Sequence, residues 1–252
     1  MSGHSKWSTI KHKKAAKDAK RGKEFAKLIR AVEVAARGAG TSDPEASASL
    51  ALAVQKAKDA SVPKDNIERA CKRGAGDLEG GAAYETAQYE GYATGGVAVL
   101  VDCLTDNRNR TASDVRGAFT KAGGNLAEPG SVAFLFHRRG QVEVAADGVE
   151  EDELLLVGLD HGMEDLERED DRFVAWCDAS EVAAVRRALE EAGFPVLSSG
   201  SPMIPASTVP LADRGDAAKV LRLMDLLDDL DDVQDVWANF DIDDALLEDL
   251  ES

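Results

Sequence analysis

Apolar residues recur at helical spacing in three stretches near the start of the chain. Phe25, Leu28, Ile29, Val32 and Ala36 form one stripe, predicting a helix that begins at Ala15 and stops at Gly38 and Gly40. Leu50, Val54, Ala57 and Ala60 predict a second helix within residues 44–60. Pro63 suits a first turn, Ile67, Ala70 and Cys71 continue the stripe, and Gly74 reads as the stop of a third helix. Short amphipathic helices bury their stripes only against one another, so residues 15–80 are expected to form a three-helix bundle. Residues 1–14 before it have no period and read as a basic arm. GAGDLEGGAA at 74–83, with four glycines, reads as a linker.

Beyond the linker the periods mix. VAVLVDCL at 97–104 is a nearly unbroken apolar run, the mark of a strand buried on both faces. Thr111 and Asp114 have capping-box spacing and would open a helix carrying Ala112, Val115, Phe119 and Ala122, ended by Gly123 and Gly124. Val132, Phe134 and Phe136 then alternate as a strand. From Gln141 to Gly200 the order is strand, helix, strand, strand, helix, strand, with Asp178 and Glu181 as a second capping pair. That is the split β-α-β arrangement of ferredoxin-like domains. A helix over residues 216–230 and a strand with Val236, Ala238, Phe240 and Ile242 alternating close the chain. These two need an existing sheet. The expected fold class is therefore α+β: an N-terminal three-helix bundle plus two α+β domains. A discontinuous one (81–138 plus 206–252) would hold a ferredoxin-like insertion (139–205).

Charge divides the chain as the periods do. The net charge of −17 conceals a first 80 residues at +7, and a remainder at −24. Exposed charges are screened beyond about 8 Å, so a partner meets two different surfaces. Cys71, Cys103 and Cys177 are too widely spaced for a disulfide scaffold or a zinc finger and fit a reducing cytoplasm. No apolar run approaches membrane-helix length and no apolar leader opens the chain, predicting a soluble, cytoplasmic protein without a membrane partner. His4, His12, His137 and His161 form no metal-ligand pattern, and no P-loop, dinucleotide-binding or nucleophile-elbow motif occurs. No catalysis, cofactor, metal or small-molecule substrate is expected. The twelve acids and no cations from Leu223 to Ser252 read as a solvated face.

Two clusters suit nucleic acid. Ten basic residues lie between Lys6 and Arg30 against two acids, a density fit to neutralise phosphates, and Trp7, His4 and His12 among them can stack on bases. The expected contacts are His4, Lys6, Trp7, Lys11, His12, Lys13, Lys14, Lys17, Lys20, Arg21 and Lys23. The other cluster, DNRNRT at 106–111, joins a buried strand to a helix start, where free N–H groups favour an anion. Asn107, Arg108 and Arg110 could hold a phosphate there; equally, Asp106 and the asparagines could build the turn while the arginines pair with the acidic body.

GHSKW at 3–7, KHKKAAKDAKRGK at 11–23, VPKDNIERACKRG at 62–74, LTDNRNRTASDVR at 104–116 and GGNLAEPGSVAFLF at 123–136 closely resemble the YebC/PmpR family, with the turn at 203–205 extending the match. The resemblance covers essentially the whole chain, and Ala127 stands where the family motif more often has glycine. It implies three domains, the ferredoxin-like one inserted in the other. It also implies DNA-binding transcriptional regulation or, in other members including mitochondrial relatives, translational activation at the ribosome on proline-rich nascent chains. The favoured reading is a nucleic-acid-binding regulator of gene expression, of the DNA-binding transcriptional type. The alternatives are a ribosome-associated translational activator contacting rRNA or tRNA, and an acidic protein-interaction scaffold whose acidic domains take a protein partner.

Overall fold

The structure, a computed structural model, describes residues 18–79, 83–169 and 171–251. Three helices come first: α1 (Asp18–Ala39), α2 (Ala48–Asp59) and α3 (Lys64–Ala75). They are followed by β1 (Glu85–Tyr92), β2 (Ala98–Thr105), α4 (Arg108–Lys121), β3 (Asn125–Leu126) and β4 (Phe136–Arg138). Next come β5 (Gly140–Ala145), α5 (Glu151–Asp160), β6 (Met163–Glu169), β7 (Arg172–Cys177), α6 (Val182–Glu191) and β8 (Val196–Gly200). The chain closes with β9 (Met203–Pro205), β10 (Val209–Leu211), α7 (Arg214–Asp228), β11 (Val233–Ala238), β12 (Phe240–Ile242) and α8 (Asp244–Glu251). The content is α+β, as expected. Among the described residues no helix is long and apolar enough to cross a membrane.

The chain divides into two compact units. In the first, made of described residues up to Ala31 with 83–137 and 203–251, the apolar run of β2 lies inside an antiparallel sheet of order β11-β2-β1-β3. One face of β2 (Val99, Val101, Cys103) packs under α4 and α7 through Val115, Phe119, Val220, Met224 and Leu227. The other face (Ala98, Leu100) packs with Trp237 on Val132 and Phe136. Layers on both faces explain the missing polar alternation. Strand β1 escapes a sequence reading because ETAQYEGY carries little apolar surface, and its Ala87, Glu90 and Gly91 are nonetheless buried.

Three local expectations are corrected here, and the acidic end gains a helix. Helix α4 starts before Thr111: Asn107 is its N-cap, its side chain accepting from the Arg110 N–H, and Thr111 is buried one turn inside. The strand expected through Val132 and Phe134 is instead a 3-10 turn at Ala133–Leu135, with a strand only from Phe136. The alternation from Val236 to Ile242 belongs to two strands: β11 pairs with β2, β12 runs parallel to β10, and Asn239 between them donates to Ser207 and accepts from Ala98. The acidic end carries α8, whose Leu246, Leu247 and Leu250 pack on the core. Ala127 has no left-handed backbone, so it needs no glycine there; its N–H donates to the Glu90 carbonyl.

The second unit, residues 32–79 with 138–169 and 171–202 among those described, contains the antiparallel sheet of order β6-β7-β5-β8. Strands from the two β-α-β halves interleave, which is the expected ferredoxin-like pattern. Val142, Val144, Phe173 and Ala175 pack against Leu154, Val185 and Leu189 of α5 and α6, and Leu52 of α2 joins the same core. Arg186 of α6, 8% exposed, holds Asp59 of α2 through two bonds of 2.6 and 2.9 Å. Gly74 does not end α3. The helix ends at Gly76, in the left-handed region at φ 87°, while Gly74 is needed because a Cβ there would collide with the Glu33 carbonyl of α1. The second capping pair is also corrected: Asp178 accepts from Ser180 and Glu181 makes no capping bond.

Candidate nucleic-acid interface

Of the expected contacts, His4, Lys6, Trp7, Lys11, His12, Lys13, Lys14 and Lys17 lie outside the described residues. Lys20 and Arg21 lie in the first turn of α1. From Lys23 onward the basic face of α1 is engaged within the first unit. The Lys23 Nζ donates to the Asp229 carbonyl at 3.3 Å and Lys27 to the Asp228 carbonyl at 2.5 Å. These carbonyls close α7, where unpaired C=O groups and the negative end of the helix dipole attract cations. Arg30 reaches one loop further, donating to the Asp231 carbonyl at 2.7 Å, and its guanidinium lies 5.0 Å from the centre of the Tyr84 ring. The base of the basic segment is thus fixed to an acidic corner built from α7 and β11.

The strand-to-helix turn at 106–111 meets the same corner. Its backbone is closed: the Thr105 hydroxyl accepts from the Asn107 N–H at 2.8 Å, and Asn107 Oδ1 accepts from the Arg110 N–H at 3.2 Å. Asn107 therefore satisfies a donor that an anion would otherwise use. Arg110 turns back, its Nη2 lying 2.8 Å from Asp106 and 2.7 Å from Asp232. These bonds push its pKa further up, so it is a permanent cation. Arg108 points elsewhere, with Nε 3.8 Å from Glu85 and a side chain 60% exposed. The two arginines have separate jobs: Arg110 ties the turn to β11, and Arg108 is open to solvent.

Asp232, which the sequence reading passed over, joins these elements. It is 9% exposed; its Oδ2 accepts from Arg110 and from the Thr111 hydroxyl, each at 2.7 Å, and its Oδ1 lies 3.4 Å from Arg30. Burial works to raise its pKa, but Arg110, Thr111 and Arg30 outweigh that and hold the carboxyl below the ordinary aspartate value. In sequence it is one of five acids in DDLDDVQD, and the signal that marks it is only its place just before an apolar strand.

Glu90 was likewise not foreseen. It is 5% exposed and accepts from the N–H groups of Gly130, Val132 and Ala133 at 2.6, 2.6 and 2.8 Å. Burial tends to raise its pKa, and these amides reverse the effect. No set of three or more His, Cys, Asp or Glu side chains among the described residues is placed to hold a metal ion. The three cysteines are buried; burial is the main force pushing the Cys103 thiol to about 12 and Cys177 to about 11. Such thiols are protonated and poor nucleophiles at neutral pH.

Known proteins match this chain throughout. Residues 5–77 match the TACO1/YebC protein N-terminal domain, and residues 84–240 the TACO1/YebC second and third domain. A "Probable transcriptional regulatory protein" of Beutenbergia cavernae is 56% identical over 252 residues, covering 100% of this chain and 99% of the relative. One of Thermobifida fusca, with the same description, is 55% identical over 247 residues, or 98% of each. A crystal structure of the conserved hypothetical protein Aq1575 from Aquifex aeolicus superposes with a TM-score of 0.81 at 47% identity, covering 90% of this chain and 93% of that one. With both matched segments in chain order and relatives aligned end to end, the chain belongs to the TACO1/YebC family.

Proposed function

We propose that the protein is a nucleic-acid-binding regulator of gene expression without catalytic chemistry, acting as a transcriptional regulator on DNA. The observation that carries this reading is the concentration of ten basic residues between Lys6 and Arg30 of a chain whose net charge is −17. Anchoring of Lys23, Lys27 and Arg30 supports it, because the cations preceding them then start from a fixed point on the scaffold. The description of its relatives as probable transcriptional regulatory proteins agrees. Phosphates supply affinity and not sequence readout, so the segment grips the backbone of its target and Arg108 adds an outlying contact.

Deletion of residues 1–14 tests the reading. Binding of duplex DNA, followed by fluorescence anisotropy, should fall sharply, with the melting of the remaining chain nearly unchanged. With about five phosphate contacts, log affinity should fall with log salt at a slope near −4 to −5. A truncated protein that binds as well as the full chain refutes the proposal. Crosslinking in cells with sequencing of both DNA and RNA distinguishes targets: enrichment at promoters supports transcriptional regulation, and enrichment in ribosomal RNA or tRNA replaces it with translational activation.

A further inference from the structure

The second unit displays apolar side chains within an unpaired acidic field. Helix α5 is seated by Leu154 and Gly158: Leu154 is buried in the core, and a Cβ at Gly158 would collide with the Met163 side chain of β6. The opposite side of the helix carries Leu156 and Leu159, one turn apart and 67% and 51% exposed. Helical spacing places Asp152 and Glu153 one turn before Leu156 and Asp160 one turn after it, and all three are exposed. Residues 147–167 hold nine acids and no lysine or arginine. Among the described residues, Glu164 alone of these nine has an ion-pair partner, Arg139 at 3.2 Å.

Helix stability does not account for this surface. Glu151, Asp152 and Glu153 in the first turn complement the helix dipole, but Asp160 lies in the last turn, where the dipole opposes it and no basic residue is present. Two exposed leucines a turn apart add nothing to the core, and apolar side chains rimmed by charge mark protein-binding surfaces. The carboxylates around them repel one another, and a cationic partner relieves that repulsion. The same charge decides among occupants. Docking α5 on a second α5 would bring two acidic rims together, and nucleic acid or an anionic membrane would be repelled. What fits is a protein segment with apolar residues to cover the leucines and Lys or Arg to meet Asp152, Glu153 and Asp160, as charges flanking an apolar helix seam select their partner. Because Leu154 and Gly158 hold the helix in place, docking would require little ordering of this side.

We propose that the exposed face of α5, formed by Leu156 and Leu159 with Asp152, Glu153 and Asp160, is a docking site for a basic amphipathic segment of another protein. Docking here does not depend on nucleic-acid binding by the basic segment before Arg30. The probe is a library of random linear peptides displayed on phage, selected on the full chain and counter-selected on a double variant, Leu156→Ser with Leu159→Ser. That variant keeps every acid, so peptides drawn to negative charge alone, including that of the acidic residues after Leu223, are discarded. The surviving peptides should carry net positive charge, with aliphatic or aromatic residues three or four positions apart. Their affinity should fall about tenfold or more in the double variant, as expected for the loss of apolar anchors. It should fall about five- to tenfold, with a flatter salt dependence, when Asp152→Asn, Glu153→Gln and Asp160→Asn are combined. Phe134→Ser, which alters an exposed phenylalanine of the first unit, should leave it unchanged. Both α5 variants alter exposed positions and should melt with the unaltered protein; the charge variant carries the test should the leucine variant not fold. Surviving peptides that are acidic or uncharged, peptides that bind both α5 variants undiminished, or no enrichment over the unselected library overturn the proposal. Sedimentation that shows the full chain to be a dimer dissociated by Leu156→Ser overturns it in favour of a second copy.

Discussion

Replacing Asp232 tests whether one carboxylate holds the basic helix and the Asn107 turn to the sheet. In Asp232→Ala the Thr111 hydroxyl loses a charge-assisted bond of 2.7 Å, while a 2.7 Å contact with the Thr105 hydroxyl remains. Arg110 keeps Asp106, Arg30 keeps the Asp231 carbonyl, and both guanidinium groups retain water access, so neither becomes a buried unpaired charge. The main loss is thus the short bond from Thr111, worth about 1.5–3 kcal/mol, together with a longer one of 3.3 Å from the Thr105 hydroxyl, with relief of carboxylate desolvation on the opposite side. The net expectation is destabilisation of about 2 kcal/mol, a fall in melting temperature of roughly 4–8 °C. Asp232→Asn, which keeps one acceptor oxygen, should lose about half as much. Calorimetry measures the shift, and hydrogen exchange of the β2 and α4 amides assigns it to the first unit. The pH dependence provides a further check. Because the folded carboxyl titrates below the ordinary value of about 3.9, its contribution is fully present above that pH and is lost as pH falls through the lower folded value. The difference between the two proteins should therefore be constant from pH 6 to pH 8, on the order of its full size, and shrink below about pH 4. A variant that melts with the unaltered protein at pH 7 would refute the argument that Asp232 joins these elements.

Other substitutions separate further roles. Glu90→Ala should cost about 2–4 kcal/mol by stranding amides of Gly130, Val132 and Ala133, with hydrogen exchange accelerated at those three positions before any other; unchanged exchange there would remove the bracing role. Its carboxyl is also held low, so in the unaltered protein the protection of these amides, taken relative to the intrinsic exchange rate at each pH, should persist through neutral pH and fall only as pH drops through that depressed value. Arg108→Ala should weaken nucleic-acid binding without changing the melting temperature, and Arg110→Ala should lower the melting temperature with less effect on binding; the reverse pattern contradicts the geometry of the turn. Cys103 and Cys177 should resist a disulfide exchange reagent at pH 7 until denaturant is added, and rapid native labelling would show them more accessible than their packing implies. Gly74→Ala should destabilise by about 1–3 kcal/mol through overpacking against Glu33, measured by denaturant unfolding; a neutral result would mean that α1 and α3 separate without cost.

Much of the fold was legible because its signals are local. The period of Phe25 to Ala36 marks a helix wherever that helix docks, and the β-branched run before Thr105 can be buried only between two layers. The ferredoxin-like order followed from alternating strand and helix grammar in the same way. Concentration of cations before Arg30 is a property of sequence, since like charges so close cannot be cancelled within their own segment. Tertiary structure decided where local signals tie. Thr111 and Asn107 are both competent caps, and a buried Asp232 that draws the Thr111 hydroxyl inward leaves the cap to Asn107. Alternation from Val236 to Ile242 reads as one strand, but Asn239 bonds to two different elements and breaks the ladder there. Asp232 and Glu90 are invisible among 47 acids, because what distinguishes them is desolvation and the donors around them. Phe134 sits in an alternation that predicts a strand, and only the 3-10 turn held by Glu90 sends its ring to solvent while Val132 and Phe136 go to the core. Hydrophobic period reports which residues can be buried; the partners brought by distant segments determine which polar groups are buried with them and which apolar ones are not.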